Sequence, residues 1–281
     1  MAGSLSPFPA AQSPGSVRRV AKVRLDTLLA SRGLFESRSR AAASVIAGEV
    51  RLGVERERAD KPGQLVRSDV ELSVAEPPAY VSRGGRKLAA ALSAFPIDVP
   101  AKRCLDVGAS TGGFTDCLLQ AGAAQVVALD VAYGELHWRL RNDPRVTVLE
   151  RRNARALTPG DLPWPAEIVV IDVSFISLAK VLPAVLSCTA PRFDCLALVK
   201  PQFEVGRLRV GKGGVVRDPA ARREALVGAA RAAQSHGAAV LGFASSGLPG
   251  PKGNEESFVW LGEAGRGGVP DVEAAAREVE P

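Results

Sequence analysis

The tightest constraint on this chain is a glycine-rich turn that closes a short apolar run: Leu105-Asp106-Val107-Gly108-Ala109-Ser110-Thr111-Gly112-Gly113-Phe114. The apolar run stops at Gly108 and a helical pattern takes over at Phe114. A strand–turn–helix junction of this kind predicts the first unit of an α/β domain, and the pattern repeats downstream. Strands are expected at 103–107, 125–130, 146–149, 168–172, 195–199, 238–244 and 257–261, and helices at 114–121, 135–141, 178–186 and 219–235. Alternating β and α elements imply a mostly parallel, seven-stranded sheet with helices on both faces. No helix separates the last two strands, so the final strand is expected to enter antiparallel.

Ligands of doubly wound sheets bind outside the carboxyl ends of the strands. The turn reads G-x-x-x-G-G rather than the dinucleotide G-x-G-x-x-G, and no Lys-Ser/Thr pair follows to grip phosphate. Such a turn suits S-adenosylmethionine (SAM), which carries no phosphate but needs close backbone approach. Gly108, Ala109, Ser110, Thr111, Gly112, Gly113 and Phe114 are the candidate cradle. Asp106 can either accept from the methionine ammonium or order the loop. Asp130, at the end of the second strand, can accept from ribose hydroxyls or serve as a cap. Asn153, past the third strand, is a candidate for the adenine edge. Asp172 and Lys200 end the fourth and fifth strands, each after an apolar run. A carboxylate and an amine arriving together at the crevice suggest chemistry, with a structural ion pair as the alternative.

The first part of the chain reads as a separate unit over 20–75. Helices are expected at 23–31 and from Ser37 to a stop at Gly48, with strands at 50–52, 64–66 and 69–74 and a charged loop at 55–61. Between Arg18 and Arg40, seven basic residues (18, 19, 22, 24, 32, 38, 40) face two acids, Asp26 and Glu36, a net of +5. Arg18, Arg19, Lys22, Arg24, Arg38 and Arg40 are therefore candidate phosphate contacts, against a plain solvated face as the alternative. The loop 205–217, with Arg207, Arg209, Lys212 and Arg217 among glycines, is a second such candidate. Residues 1–19 read as a disordered tail, 76–82 as a linker, 83–262 as the second domain, opening with a charged helix near Arg86, and 263–281 as a flexible tail.

The whole chain, 281 residues with net charge +6 and pI ≈ 9.4, favours a polyanionic partner. Four cysteines with no C-x-x-C pair and two separated histidines predict no metal site and buried, reduced thiols in a cytoplasmic protein. No apolar run reaches the ~18 residues of a membrane span, and the first residues do not read as a signal peptide.

Five motifs together carry a resemblance: Tyr80-Val81-Ser82-Arg83-Gly84-Gly85-Arg86-Lys87-Leu88, then LDVGASTGGFTD, IDVSFISL, LVKPQFEVG and GKGGVVRD. In this order they resemble the TlyA family of SAM-dependent ribosomal RNA 2′-O-methyltransferases, some of which carry haemolysin names. The pattern Arg24-Leu25-Asp26, Ser37-Arg38, Ala41 and Gly48-Glu49-Val50 resembles an S4 RNA-binding domain, although Leu52-Gly53-Val54 replaces the usual Val-Asn-Gly. The resemblance covers roughly 20–262. It implies an FtsJ-like domain with a Lys-Asp-Lys-Glu tetrad, which falls on Lys87, Asp172, Lys200 and Glu256, with Glu255 adjacent. It implies SAM as cofactor and cytidines of 16S or 23S ribosomal RNA as substrate; Lys200 is then the expected general base, since an amine, unlike a guanidinium, can give up its proton, and Arg83 is a further candidate RNA contact. Three alternatives stand against this: an RNA-binding protein with an inactive methyltransferase fold, a pore-forming haemolysin, and a pseudouridine synthase behind an S4 module.

Overall fold

The structure is a computed structural model that describes residues 20–75 and 78–280, the side chain of Arg207 excepted. The expected tail at 1–19 lies outside the described residues. The chain divides into two compact units between Pro77 and Pro78.

The first unit begins with strand β1 (Lys22–Arg24) and helix α1 (Leu25–Ser31), so the helix expected from residue 23 starts two residues later. The reason is pairing: β1 lies antiparallel to β4 (Leu65–Arg67), with Val23 opposite Val66. Helix α2 (Arg38–Ala47) is capped by Ser37, whose hydroxyl accepts from the Arg40 N–H at 3.2 Å, and it ends at Gly48 with φ 76°. A second small sheet has the order β3-β2-β5, made of β2 (Val50–Leu52), β3 (Glu57–Arg58) and β5 (Leu72–Val74). The charged loop expected at 55–61 thus contains a strand, and the strand expected at 69–74 is shorter. Leu25, Leu29, Ala41, Val45, Val50 and Ala59 form the core of this unit.

The second unit is the α/β domain. Helix α3 (Arg83–Ala94) precedes β6 (Arg103–Val107), α4 (Gly113–Gln120), β7 (Gln125–Leu129), α5 (Trp138–Arg141), β8 (Val146–Leu149) and β9 (Ala166–Ile171). There follow α6 (Leu182–Leu186), β10 (Thr189–Val199), α7 (Pro201–Glu204), α8 (Pro219–Gln234), β11 (Ala238–Ser245), β12 (Ser257–Glu263) and α9 (Val272–Val279). One seven-stranded sheet has the order β11-β12-β10-β9-β6-β7-β8, and only β12 runs antiparallel to its neighbours. The sheet is covered on both faces, which is why β6, β7, β9 and β10 read as nearly unbroken apolar runs. Alternate residues serve the two layers: Leu105 and Val107 join one buried cluster, Cys104 the other.

Several boundaries move. Only 138–141 of the helix expected at 135–141 is α-helical, and 178–186 is a 3-10 turn followed by α6. β10 begins at Thr189, six residues early, with a register shift between Thr189 and Asp194. The linker expected at 76–82 ends sooner: Tyr80 and Val81 pack on the core, and the Val81 N–H donates to Asp116 at 2.8 Å. The expected flexible tail at 263–281 is corrected by α9. Asp271 caps that helix through the N–H groups of Glu273 and Ala274, and Ala276 is fully buried. Its end is fastened as well, because the buried Glu280 accepts from Arg222 at 2.6 Å and from Ser257 at 3.1 Å.

Candidate active site

Strand geometry assembles the site. Asp172 follows β9 and Lys200 follows β10, two adjacent parallel strands with Ala197 opposite Ile171. Val199 pairs with Ser257 across the antiparallel β12, so Glu256 is delivered to the same end of the sheet as Lys200. Lys87 comes from α3, on the layer that packs against α4. The result is one cavity of about 390 Å³ whose lining includes Lys87, Asp172, Lys200 and Glu256.

Two ion pairs organise these four groups. The Lys200 ammonium lies 2.5 Å from Asp172 and donates to the Ser174 hydroxyl at 2.9 Å. Lys87 and Glu256 form a second pair, with side chains only 8% and 1% exposed. Glu256 is buried and Glu255 exposed, so of the two adjacent acids it is Glu256 that meets the lysine. Gly250 packs against that carboxylate.

The glycine-rich turn has a specific shape. Gly108 has φ 86°, and a Cβ there would run into the backbone carbonyl of Asp172. Only glycine combines that conformation with that approach. The N–H groups of Gly108 and Ala109 both donate to the Leu129 carbonyl. Ser110, itself at φ 47°, donates its N–H to Asp130 at 2.7 Å, while the other Asp130 oxygen accepts from the Ala132 N–H at 2.8 Å. A second cavity, of about 470 Å³, continues from the first around this turn; it shares Gly108, Ser110, Asp172 and Ser174 with it and adds Asp130, Glu135 and Asn153.

Of the expected cradle, Gly108, Ala109, Ser110, Thr111, Gly113 and Phe114 line these cavities. Gly112 does not; it has φ 96° and faces Leu136 and Leu140. Asp106 is also off the lining. It is fully buried, with one oxygen accepting from the Thr115 hydroxyl at 2.7 Å and the other without a partner. Burial raises its pKa to about 7, partly offset by the Thr115 bond and reinforced by the charge of Asp172. Position alternation explains this: residue 106 shares the face of Cys104 and so points at α4, not at the crevice. Asn153 is exposed and caps a short 3-10 turn through the Arg155 N–H at 3.0 Å. Glu135 went unnoticed in the sequence; it takes the Ser110 hydroxyl at 3.2 Å and lines the second cavity.

These surroundings fit SAM. The turn from 106 to 114 carries no cation to hold phosphate. Each Asp130 oxygen accepts one backbone bond and retains acceptor capacity for a ribose hydroxyl. Among the described residues no cluster of metal-ligating side chains occurs.

The basic candidates divide. Lys22, Arg38, Arg40, Arg83, Arg209, Lys212 and Arg217 are exposed, and Arg83 lines the first cavity while donating to the Pro249 carbonyl at 3.0 Å. Arg24 is also exposed but is committed to Asp26 by two bonds, of 3.1 and 2.7 Å, that hold the Asp26 carboxyl far below the usual carboxylate range. Arg209 pairs with Glu224. Arg18, Arg19 and the side chain of Arg207 lie outside the described residues.

A seven-stranded sheet with one reversed strand, opened by a phosphate-free glycine turn, defines a SAM-dependent methyltransferase. The chain belongs to the FtsJ-like methyltransferase family and, within it, to the TlyA proteins. The family profile matches residues 80–263. Over 242 residues, 85% of this chain and 90% of the relative, it is 52% identical to the 16S/23S rRNA (cytidine-2′-O)-methyltransferase TlyA of Mycobacterium tuberculosis. It is 39% identical over 239 residues to Hemolysin A of Brachyspira hyodysenteriae, covering 83% of this chain and 97% of that one. A solved structure that carries a hemolysin name, from Streptococcus thermophilus, matches with TM-score 0.69 and 38% identity over 92% of this chain and 96% of that chain. No helix among the described residues is long and apolar enough to cross a membrane.

Proposed function

We propose that this chain transfers a methyl group from SAM to the ribose 2′-hydroxyl of cytidine in ribosomal RNA. One observation carries the reading: an amine held by a carboxylate, Lys200 on Asp172, opens into the same cavity as the buried Lys87–Glu256 pair, beside the glycine turn. The activity named for the Mycobacterium tuberculosis relative supports the substrate.

When bound, SAM supplies an electrophilic methyl on a sulfonium. Asp130, Glu135 and Asn153 line the cavity that suits its adenosine, and Gly108 lets the turn approach closely. The chain's remaining task is to align a weak nucleophile and take its proton. Alignment of two reactants is worth roughly 7–11 kcal/mol. Lys200, once its ammonium has released a proton to solvent, takes the hydroxyl proton, and Asp172 at 2.5 Å faces the ammonium that re-forms. The Lys87–Glu256 pair fixes the neighbouring wall, where the ribose is positioned. The exposed Lys22, Arg38 and Arg40 of the first unit, read as an S4-type module, and Arg83, Lys212 and Arg217 of the second supply phosphate contacts. Mass spectrometry of ribose methylation on ribosomal RNA, from cells with and without the gene, tests this. Loss of a 2′-O-methylcytidine on deletion is expected; an unchanged methylation map overturns the reading.

A further inference from the structure

Beside the reaction cavity lies a third, of about 380 Å³, which shares Ser174, Lys200 and Glu256 with it. Phe175, Phe203 and Val210 supply apolar wall. Most of its polar side chains are committed. Ser174 accepts from Lys200, Lys200 holds Asp172, and Glu256 holds Lys87. Asn254 spends both ends of its amide, accepting from the Val216 N–H and donating to the Gly214 carbonyl, each at 2.9 Å. Lys252 is exposed and can only donate.

Gln202 differs. It lines this cavity, and its Oε1 is buried with no hydrogen-bond partner. An acceptor in that condition is destabilising until a donor reaches it, so its retention beside the reacting groups calls for a donor that arrives with the substrate. On the reading that a ribose hydroxyl is methylated at Lys200, the base is bonded to the carbon next to the reacting one, and the cavity adjoining Lys200 is where it falls. We infer that Gln202 reads the Watson–Crick edge of the target base, its Oε1 accepting from the exocyclic amine of cytosine and its amide N–H donating to the ring nitrogen beside it. Uracil reverses both groups, placing a carbonyl against the acceptor and an N–H against the donor.

The test uses the full chain and ribosomal subunits from cells lacking the gene, with cytidine or uridine at the position that mass spectrometry maps as methylated. Wild type should favour cytidine about tenfold or more in kcat/KM. Gln202→Leu should lower the cytidine value about tenfold and level the two bases. Gln202→Glu replaces the amide N–H by a second acceptor, which opposes the cytosine ring nitrogen and can accept from the uracil N–H, and should likewise lose the cytidine preference. Calorimetric titration with SAM should give wild-type affinity for both variants, since Gln202 lines neither the first nor the second cavity, and so verifies that they fold. A Gln202→Leu enzyme with the wild-type base ratio, or a wild type indifferent to the base, overturns the inference. Failure of wild type to methylate any subunit instead overturns the proposed function on which it rests.

Discussion

Asp106→Asn isolates the electrostatic cost of the carboxylate beneath the glycine turn. Its folded pKa is about 7 against an ordinary 3.8, chiefly because burial disfavours the charge. Below pH ~4 the group is protonated in both folded and unfolded chains and contributes no difference. Between ~4 and ~7 the unfolded chain ionises while the folded one holds its proton, so stability falls as pH rises; above ~7 the loss is complete. Three pKa units at ~1.4 kcal/mol each put the full loss at about 4 kcal/mol. Asparagine is neutral throughout and its oxygen can still accept from Thr115. The stability difference between variant and wild type should therefore grow by a few kcal/mol from pH 4 to pH 7.5 and then level. Urea denaturation followed by tryptophan fluorescence is suited to this, because all three tryptophans, Trp138, Trp164 and Trp260, lie in the second unit. A difference that stays constant across this range would refute a buried, protonated Asp106.

Glu256→Ala strands the buried Lys87 ammonium and should destabilise the domain by ~3–5 kcal/mol, while Glu255→Ala, at an exposed position, should stay within ~0.5 kcal/mol; chemical denaturation separates the two. Gly108→Ala should abolish SAM binding in a calorimetric titration, because its Cβ meets the Asp172 carbonyl, whereas Gly134→Ala, also at positive φ but with nothing within 4 Å, should cost only ~1 kcal/mol of stability and leave binding intact. Glu280→Ala removes partners of Arg222 and Ser257 and should cost ~1–3 kcal/mol, whereas Glu273→Ala breaks only an exposed pair with Arg231 and should change the midpoint little.

Much of this site could be read from the chain because its logic is local. Apolar runs that end in Asp172 and Lys200 can only place those groups at strand ends, and a G-x-x-x-G-G turn announces its own close approach. What escaped depends on partners far along the chain. Nothing near Lys22 says that β1 exists, since a three-residue strand is defined by its pairing with β4. Glu255 and Glu256 are indistinguishable until the register of β12 buries one of them. The last helix looked frayed because an Ala- and Glu-rich segment has little apolar content, and its hold comes from Arg222 and Ser257 on other elements. Asp106 left two roles open, and residue alternation favours the structural one by turning it from the crevice toward Thr115 at the start of α4.

The most direct test of the account is single-turnover transfer of labelled methyl from SAM by the purified chain to ribosomal subunits taken from cells without the gene, with the labelled nucleoside identified by mass spectrometry. The account predicts label on the ribose of a cytidine, and near-equal loss of transfer in Lys200→Arg and Lys200→Ala, since arginine does not surrender its proton at working pH. Label on a base, or brisk transfer by the Lys200→Arg enzyme, would contradict it.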